Sequence, residues 1–269
     1  MELREKINEY EKLKNLYQES FAKKFSAKDL FEYTEVLFSA HSCAIEGNSF
    51  SVNDTRELKE HGLNLKLQNK TMIEAFEILD HFKAFEFLMK DLSKPLSEPL
   101  LIETHKLLTQ NTITYTTGYN AGDYTKTQMA AGDTIFPDHE ESIKSVPGLM
   151  EQTEATLKKG VVHPVELSAK FHQYFIYLHP FPDGNGRIGR LFSNYILART
   201  EQPLIIITKS EKETYIDALK ASHKHKDTSI ITSFFFDTSI DRMTNELQQL
   251  KSEIPQTKTG KGKGRTFVF

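Results

Sequence analysis

Apolar positions along this chain recur mostly at helical spacing. Leu3, Ile7, Tyr10, Leu13 and Tyr17 fall on one face of a first predicted helix. Leu30, Tyr33, Val36, Leu37 and Ala40 continue such a face toward Ile45. Gly47-Asn48 predicts its end, because both residues accept left-handed backbone. A short helix is expected from Asp54 to His61, stopping at Gly62. A long one comes next, from Thr71 to Lys90, with Met72, Phe76, Leu79, Phe82, Phe85 and Leu88 on its face. Another opens at Ser97, with Pro99 in its first turn, and runs to Gln110.

The pattern breaks over residues 111–140. Thr112 to Thr117 is β-prone, and Gly118, Gly122, Gly132 and Pro137 punctuate the residues after it. A small β-hairpin or extended flap is predicted over 123–136. Helical spacing returns near Ile143 and strengthens after Pro164 with Leu167, Phe171, Tyr174, Phe175 and Leu178. Ile188 to Arg199 again reads as helix, Ser210-x-x-Glu213 as a capping box, and Ser229 to Leu250 as a last amphipathic helix. The tail from Lys251 places Lys258, Lys261, Lys263 and Arg265 among glycines and ends in Phe267-Val268-Phe269. The expected fold is all-α with one minor β-hairpin. The expected organisation is N-terminal helices over 1–95, a core domain over 96–235, and a helix end with a basic tail over 236–269.

Composition narrows the function classes. The chain has 269 residues, 38% hydrophobic and 26% charged, as in ordinary globular proteins. A net charge of −3 gives no reason to expect nucleic acid as a partner. No apolar run is long enough for a membrane span. Cys43 is the one cysteine, and Met1-Glu2-Leu3-Arg4-Glu5-Lys6 lacks the apolar centre of a signal peptide. A reducing, cytoplasmic setting is the expectation.

The chemistry concentrates in His179-Pro180-Phe181-Pro182-Asp183-Gly184-Asn185-Gly186-Arg187-Ile188-Gly189-Arg190. Gly184-Asn185-Gly186 at a helix start lets backbone N–H groups converge on one anion. Asp183 beside that nest repels a bare phosphate unless a divalent cation lies between them, which points to Mg²⁺. Arg187 and Arg190 are three apart, on one helix face, and two guanidinium forks suit more than one phosphate. His179 titrates near neutral pH and can take a proton from an attacking hydroxyl. Together these parts describe phosphoryl or nucleotidyl transfer from a Mg-nucleotide to a hydroxyl.

Gly184-x-Gly186-x-x-Gly189 also fits a dinucleotide fingerprint, with Leu204-Ile205-Ile206-Ile207 as a second strand and Glu211 as its ribose-binding acid. That reading requires a strand running into the first glycine. His179 to Asp183 intervene, the residues before them keep helical spacing, and the chain offers no set of βαβ units.

The segment resembles the Fic signature, His-x-Phe-x-(Asp/Glu)-Gly-Asn-Gly-Arg-x-x-Arg, at every fixed position from His179 to Arg190. The resemblance extends over roughly residues 30–235. It implies a helical Fic fold that transfers AMP from ATP to a Ser, Thr or Tyr hydroxyl of a target protein and releases pyrophosphate. By position it makes His179 the base and Asp183 the Mg²⁺ ligand. Gly184, Asn185 and Gly186 would hold the α-phosphate, Arg187 the β-phosphate and Arg190 the γ-phosphate. Phe181 would anchor the loop in the core. Transfer of another nucleotide or phosphate group is the alternative.

Ser42-Cys43-Ala44-Ile45-Glu46-Gly47 is similar to the family's inhibitory motif, (Ser/Thr)-x-x-x-Glu-(Gly/Asn). Taken alone, Glu46 is a solvated glutamate at a helix end, at a modest cost against the helix dipole. Beside the complete central motif, the resemblance implies an inhibitory helix over about 30–47. Glu46 would pair with Arg190 and withdraw it from the γ-phosphate, with Ser42 in support. Some relatives use this glutamate to remove AMP from targets, so a deAMPylase is a second expectation.

The segment 123–136 is similar to the family's flap, which pairs with an extended target segment. Ala131 and Gly132 would lie near the nucleotide. Thr125 stands where the family usually has arginine, with Lys126 as a substitute. Tyr215 takes the place of an aromatic near adenine, and His223 that of an asparagine. The remaining histidines, His61, His81, His105, His163, His172 and His225 among them, show no metal-ligand spacing and are read as structural or surface residues. A homo-oligomer is compatible with the sequence.

Overall fold

The computed structural model describes residues 2–64, 69–132 and 134–252. Its helices are α1 (Leu3–Ser20), α2 (Ala27–Ile45), α3 (Val52–His61), α4 (Met72–Met89), α5 (Glu98–Thr109), α6 (Ile113–Thr117), α7 (His139–Lys159), α8 (Pro164–Leu178), α9 (Asn185–Ala198), α10 (Lys212–His225) and α11 (Ser229–Ser252). One antiparallel pair, β1 (Ala130–Ala131) and β2 (Thr134–Ile135), joins Ala130 to Ile135 and Ala131 to Thr134. The expected all-α fold with a small hairpin is the observed one. Among the described residues, no helix is long and apolar enough to cross a membrane.

The centre of the molecule is α9. Every residue from Asn185 to Leu197 except Gly186 is buried. Ile188, Leu191, Phe192, Tyr195 and Ile196 join α8 residues Phe171 and Phe175 and α5 residues Leu101 and Leu108 in the main core. Gly189 lets the two central helices approach, since a Cβ there would stand 3.0 Å from the His172 ring. A second core brings the two ends of the described chain together: Tyr10 and Tyr17 of α1 pack with Phe235, Phe236 and Met243 of α11. Helix α11 runs unbroken through the boundary expected at 235/236. The basic tail lies, from residue 253, outside the described residues.

Two local expectations are corrected, and the strand of the rejected dinucleotide reading is absent. The β-prone Thr112–Thr117 stretch is the short helix α6, closed by Gly118 at φ 80°. Threonine hydroxyls feed back into that turn: Thr117 Oγ1 donates to Ile113 O at 2.7 Å and Thr116 Oγ1 to Thr112 O at 3.3 Å. The capping box before α10 is Thr208 with Glu211, two residues earlier than Ser210 with Glu213, and a 3₁₀ turn precedes the helix. Residues 204–207 form no strand; Asn194 grips Ile205 instead, accepting from its N–H at 2.8 Å and donating to its carbonyl at 2.9 Å.

Candidate active site

Two helix ends and the loop between them make the site. Helix α8 stops at His179, held in left-handed backbone at φ 47° and ψ 53°. A non-glycine residue pays about 1–3 kcal/mol for such a conformation, and it persists where surrounding structure enforces it. Here the enforcement is visible. Phe181 is fully buried between two rings, His105 of α5 at 3.8 Å and Tyr124 at 5.0 Å between centroids. Asn185 clamps the turn, donating to Phe181 O at 2.7 Å while its Oδ1 accepts from Phe181 N at 3.0 Å. Its side chain therefore holds the loop, and its N–H is what remains for an anion.

His105 holds the next corner. Gly122 N donates to its Nδ1 at 3.0 Å, which fixes the proton on Nε2, and Nε2 lies 3.0 Å from Asp183 O. Burial pushes this imidazole down to about 4, so it is neutral. Gly184 then opens α9 at φ 82°. A Cβ there would face Thr109 at 3.3 Å and the His105 ring at 3.5 Å, besides the cost of the left-handed backbone. The first-turn N–H groups of Asn185, Gly186 and Arg187 have no carbonyl behind them within the helix, so the start of α9 is an anion nest.

Side chains of alternating charge surround that nest. Arg187, 2% exposed, donates from Nη2 to Asp183 Oδ2 at 2.9 Å and pairs through Nη1 with Glu77 Oε1 at 3.5 Å. Its Nε and Nη1 are buried without a hydrogen-bond acceptor. Arg190, 3% exposed, donates from Nε to Ser42 Oγ at 3.1 Å and from Nη2 to Ser42 O at 2.8 Å and Glu46 Oε1 at 2.7 Å. Burial opposes ionisation of Glu46, but Arg190 and Arg187 outweigh it and hold the carboxyl below its usual range. The Glu46 side chain keeps 38% exposure. A Cβ built on Gly186 would run into the Glu46 carboxylate, so that carboxylate lies against the start of α9.

Helix α2 reaches this point through a defined end. Gly47 N donates to Ala44 O and Asn48 N to Cys43 O, both at 3.2 Å, with Gly47 at φ 110°. Asn48 Nδ2 then ties the end to α4, donating to Glu74 O at 2.9 Å and Glu77 Oε2 at 2.8 Å. His179 lies under the flap: the Phe136 ring stacks on it at 3.9 Å, and Thr125 N donates to Pro180 O at 2.9 Å. Burial pushes His179 down to about 4, and its Nδ1 faces Ile176 O at 3.3 Å. Nε2 is then the basic nitrogen.

The fold thus gathers His179, Asp183, Gly184, Asn185, Gly186, Arg187, Arg190, Ser42, Glu46 and Gly47 at one helix end. Ala131 and Gly132 are exposed in the hairpin. Tyr215 is corrected: it is 3% exposed, its hydroxyl is 2.6 Å from His172 Nε2, and its ring lies 6.0 Å from the Arg190 guanidinium. No open ring face is left for adenine; Tyr215 backs the arginine. Glu77 escaped the sequence reading, which took His105 only as a structural or surface histidine, Asn48 as a helix end and Phe136 as part of the flap. For His105 the one signal was its place on the helix face that carries Leu101 and Leu108.

A model of the Fic/DOC family matches residues 95–197, a span that contains α8, the loop and all but the last residue of α9. The chain carries a Fic/DOC domain over these residues. It is similar to a protein adenylyltransferase Fic of Nematostella vectensis, 31% identical over 186 residues, covering 68% of this chain and 42% of that one. The corresponding protein of Drosophila grimshawi is 29% identical over 193 residues, covering 68% and 37%. The chain thus spans less than half the length of these curated relatives. Among solved structures, a Fic domain containing signaling protein from Bacteroides thetaiotaomicron superposes with a TM-score of 0.75 at 22% identity, covering 95% of this chain and 99% of that one. Fic-1 from C. elegans gives 0.76 at 23%, covering 93% and 73%.

The residues of this Fic/DOC chain suit a hard divalent cation. Among the described residues no group of three His, Cys, Asp or Glu forms an all-protein metal cage. Asp183 is instead a single carboxylate, 39% exposed, beside an anion nest. Its oxygens already accept from Gly184 N at 2.6 Å and from Arg187, and each keeps a second lone pair. One carboxylate completed by substrate phosphates is a donor set that Mg²⁺ takes.

Proposed function

We propose that this Fic/DOC chain is a self-restrained protein adenylyltransferase that moves AMP from ATP to a Ser, Thr or Tyr hydroxyl of a target protein. The observation that carries the reading is Glu46, seated against Gly186 at the α9 N-terminus and bonded to Arg190 at 2.7 Å. A carboxylate there occupies the kind of site that the start of a helix offers a phosphate.

With Glu46 withdrawn, the N–H groups of Asn185, Gly186 and Arg187 receive the α-phosphate. Arg187 takes the β-phosphate and Arg190 the γ-phosphate. Mg²⁺, held at Asp183 with the nucleotide, supplies further neutralisation of the phosphate charge. His179 Nε2 takes the proton of the target hydroxyl as its oxygen bonds to the α-phosphorus. The bond from that phosphorus to the bridging oxygen breaks, and pyrophosphate leaves. The flap over 123–136 presents the target segment beside His179; its Phe136 ring keeps the imidazole dry and neutral.

Incubation with labelled ATP and Mg²⁺ tests the reading. Glu46→Gly raises AMP incorporation into the chain or a target at least about 10-fold, the effect of about 1.4 kcal/mol of competing interaction removed. His179→Ala in that background removes incorporation while ATP still binds. Equal incorporation by wild type and Glu46→Gly refutes the restraint. A second reading rests on the same contact: an ionised carboxylate beside the α-phosphate site can position water, and release of AMP from a modified target by wild type but not by Glu46→Gly would favour it.

A further inference from the structure

A second cavity, of about 690 Å³, lies between α2, residues 206–211 and α11. It opens on Tyr33, Leu37 and His41, spaced by four along α2, a different helix face from Ser42 and Glu46. No step of adenylyl transfer uses it.

Its wall carries a surplus of negative charge. Glu211, Asp241 and Glu246 line it against one guanidinium, Arg242. Arg242 is already committed: its Nε donates to Glu246 Oε1 at 3.0 Å and its Nη1 to Leu204 O. Glu246 Oε1 also accepts from Tyr33 Oη at 2.9 Å, which leaves Oε2 to itself. That oxygen is buried with no hydrogen-bond partner, on a side chain 5% exposed. A buried carboxylate oxygen without a donor is costly, and a cation with N–H groups relieves that cost. Asp241 points the same way. Burial, then Asp237 and Glu211, raise its pKa. Lys6, which acts in the opposite sense, is bonded to Asp237 at 2.5 Å and Ser233 at 2.6 Å.

We propose that this cleft is a binding site for an organic cation, an ammonium or guanidinium group that donates to Glu246 Oε2 and Asp241. The volume suits a small polyamine or an amino-acid-sized amine. Two sources share this chemistry. One is a free amine. The other is the chain's own Lys258, Lys261, Lys263 and Arg265, which come after α11, nine to sixteen residues beyond the lining residue Gln249. A cation from either source touches the helix that carries Glu46.

Titration calorimetry with agmatine, which has one group of each kind, tests the site. It is run on the full chain, on Asp241→Asn, on Glu246→Gln, and on a full chain with the four tail cations changed to glutamine. A free-amine site gives saturable one-site binding to the wild type, weakened at least about 10-fold by each carboxyl substitution. A site held by the tail gives that binding only in the tail-neutralised chain, again weakened by Asp241→Asn made in that background. Asp241 is exposed, so its variant reads the site even where Glu246→Gln perturbs folding. No saturable binding in either background, or binding that Asp241→Asn leaves unchanged, overturns the proposal.

Discussion

At the scale of single residues, the site works by keeping groups in unusual charge states. His179 is an imidazole pushed down to about 4 by burial, so it is unprotonated at neutral pH, as the proposed base must be. The acid limb of the proposed AMP transfer is set by the sign of that shift. Initial rates of the Glu46→Gly chain stay level as pH falls through 6.5 and drop only toward about 4. Removing Glu46 works in the same direction, since its charge raises the imidazole. A half-maximal rate near 6.5 would mean that His179 is solvated in the working enzyme. Most of this residue set was legible in the chain, because the loop residues are contiguous and the spacing from His179 to Arg190 matches one helix start. Glu77 was not. It reaches Arg187 from α4 by tertiary packing, and on its own helix it is one acid among several. Tyr215 shows the converse: its position suggested an open nucleotide contact, and the packing of α10 on α8 buried it.

At the scale of elements, the loop between α8 and α9 is suspended from one ring. Phe181 sits between His105 and Tyr124, and the bonds of Asn185 wrap its backbone. Phe181→Ala is expected to cost about 3–5 kcal/mol in urea unfolding. It should also lower AMP transfer in the Glu46→Gly background, since the nest and His179 share this support. A stability loss under about 1 kcal/mol would show that the loop is held elsewhere. Helical elements were readable from apolar spacing because each buries one face. The exceptions have local causes. Thr112–Thr117 reads as strand by side-chain branching, but its hydroxyls close a helical turn. Two overlapping Ser/Thr-x-x-Glu patterns precede α10, and the deciding contact, Thr238 Oγ1 donating to Glu211 Oε1 at 3.0 Å, comes from α11.

At the scale of the molecule, the core stores neutral imidazoles. His105 and His179 lie near 4 and His172 near 3, each lowered first by burial. Their unfolded value is about 6.5. Groups with depressed values of this kind add stability that is full above 6.5 and lost as pH falls through 4 to 3. Glu35 runs the other way: burial raises it to about 7 despite its ion pair with Lys59. Its contribution is full below the unfolded value of about 4.3 and lost as pH rises through about 7. His41, His81 and His163 are lowered too, and Glu77, Asp80 and Asp241 raised; six imidazoles against four carboxyls set the sign, so the thermal midpoint should fall by at least about 3 °C between pH 6.5 and pH 4. A midpoint that rises over this range in calorimetry would contradict the buried, neutral assignment.

The end of α2 sets how the proposed restraint would behave in time. Glu46 is the cap residue itself, partly open to solvent, while Gly47 closes the helix behind it and Asn48 fastens the chain to α4. Moving the carboxylate off Gly186 thus requires rotation about side-chain bonds, with no turn of helix to unwind. Partly exposed side chains make such rotations within nanoseconds, far faster than a turnover. The proposed restraint is therefore a standing equilibrium without memory. On that proposal, the fraction of unlocked molecules at each instant tracks the nucleotide concentration of that moment, whatever state came before.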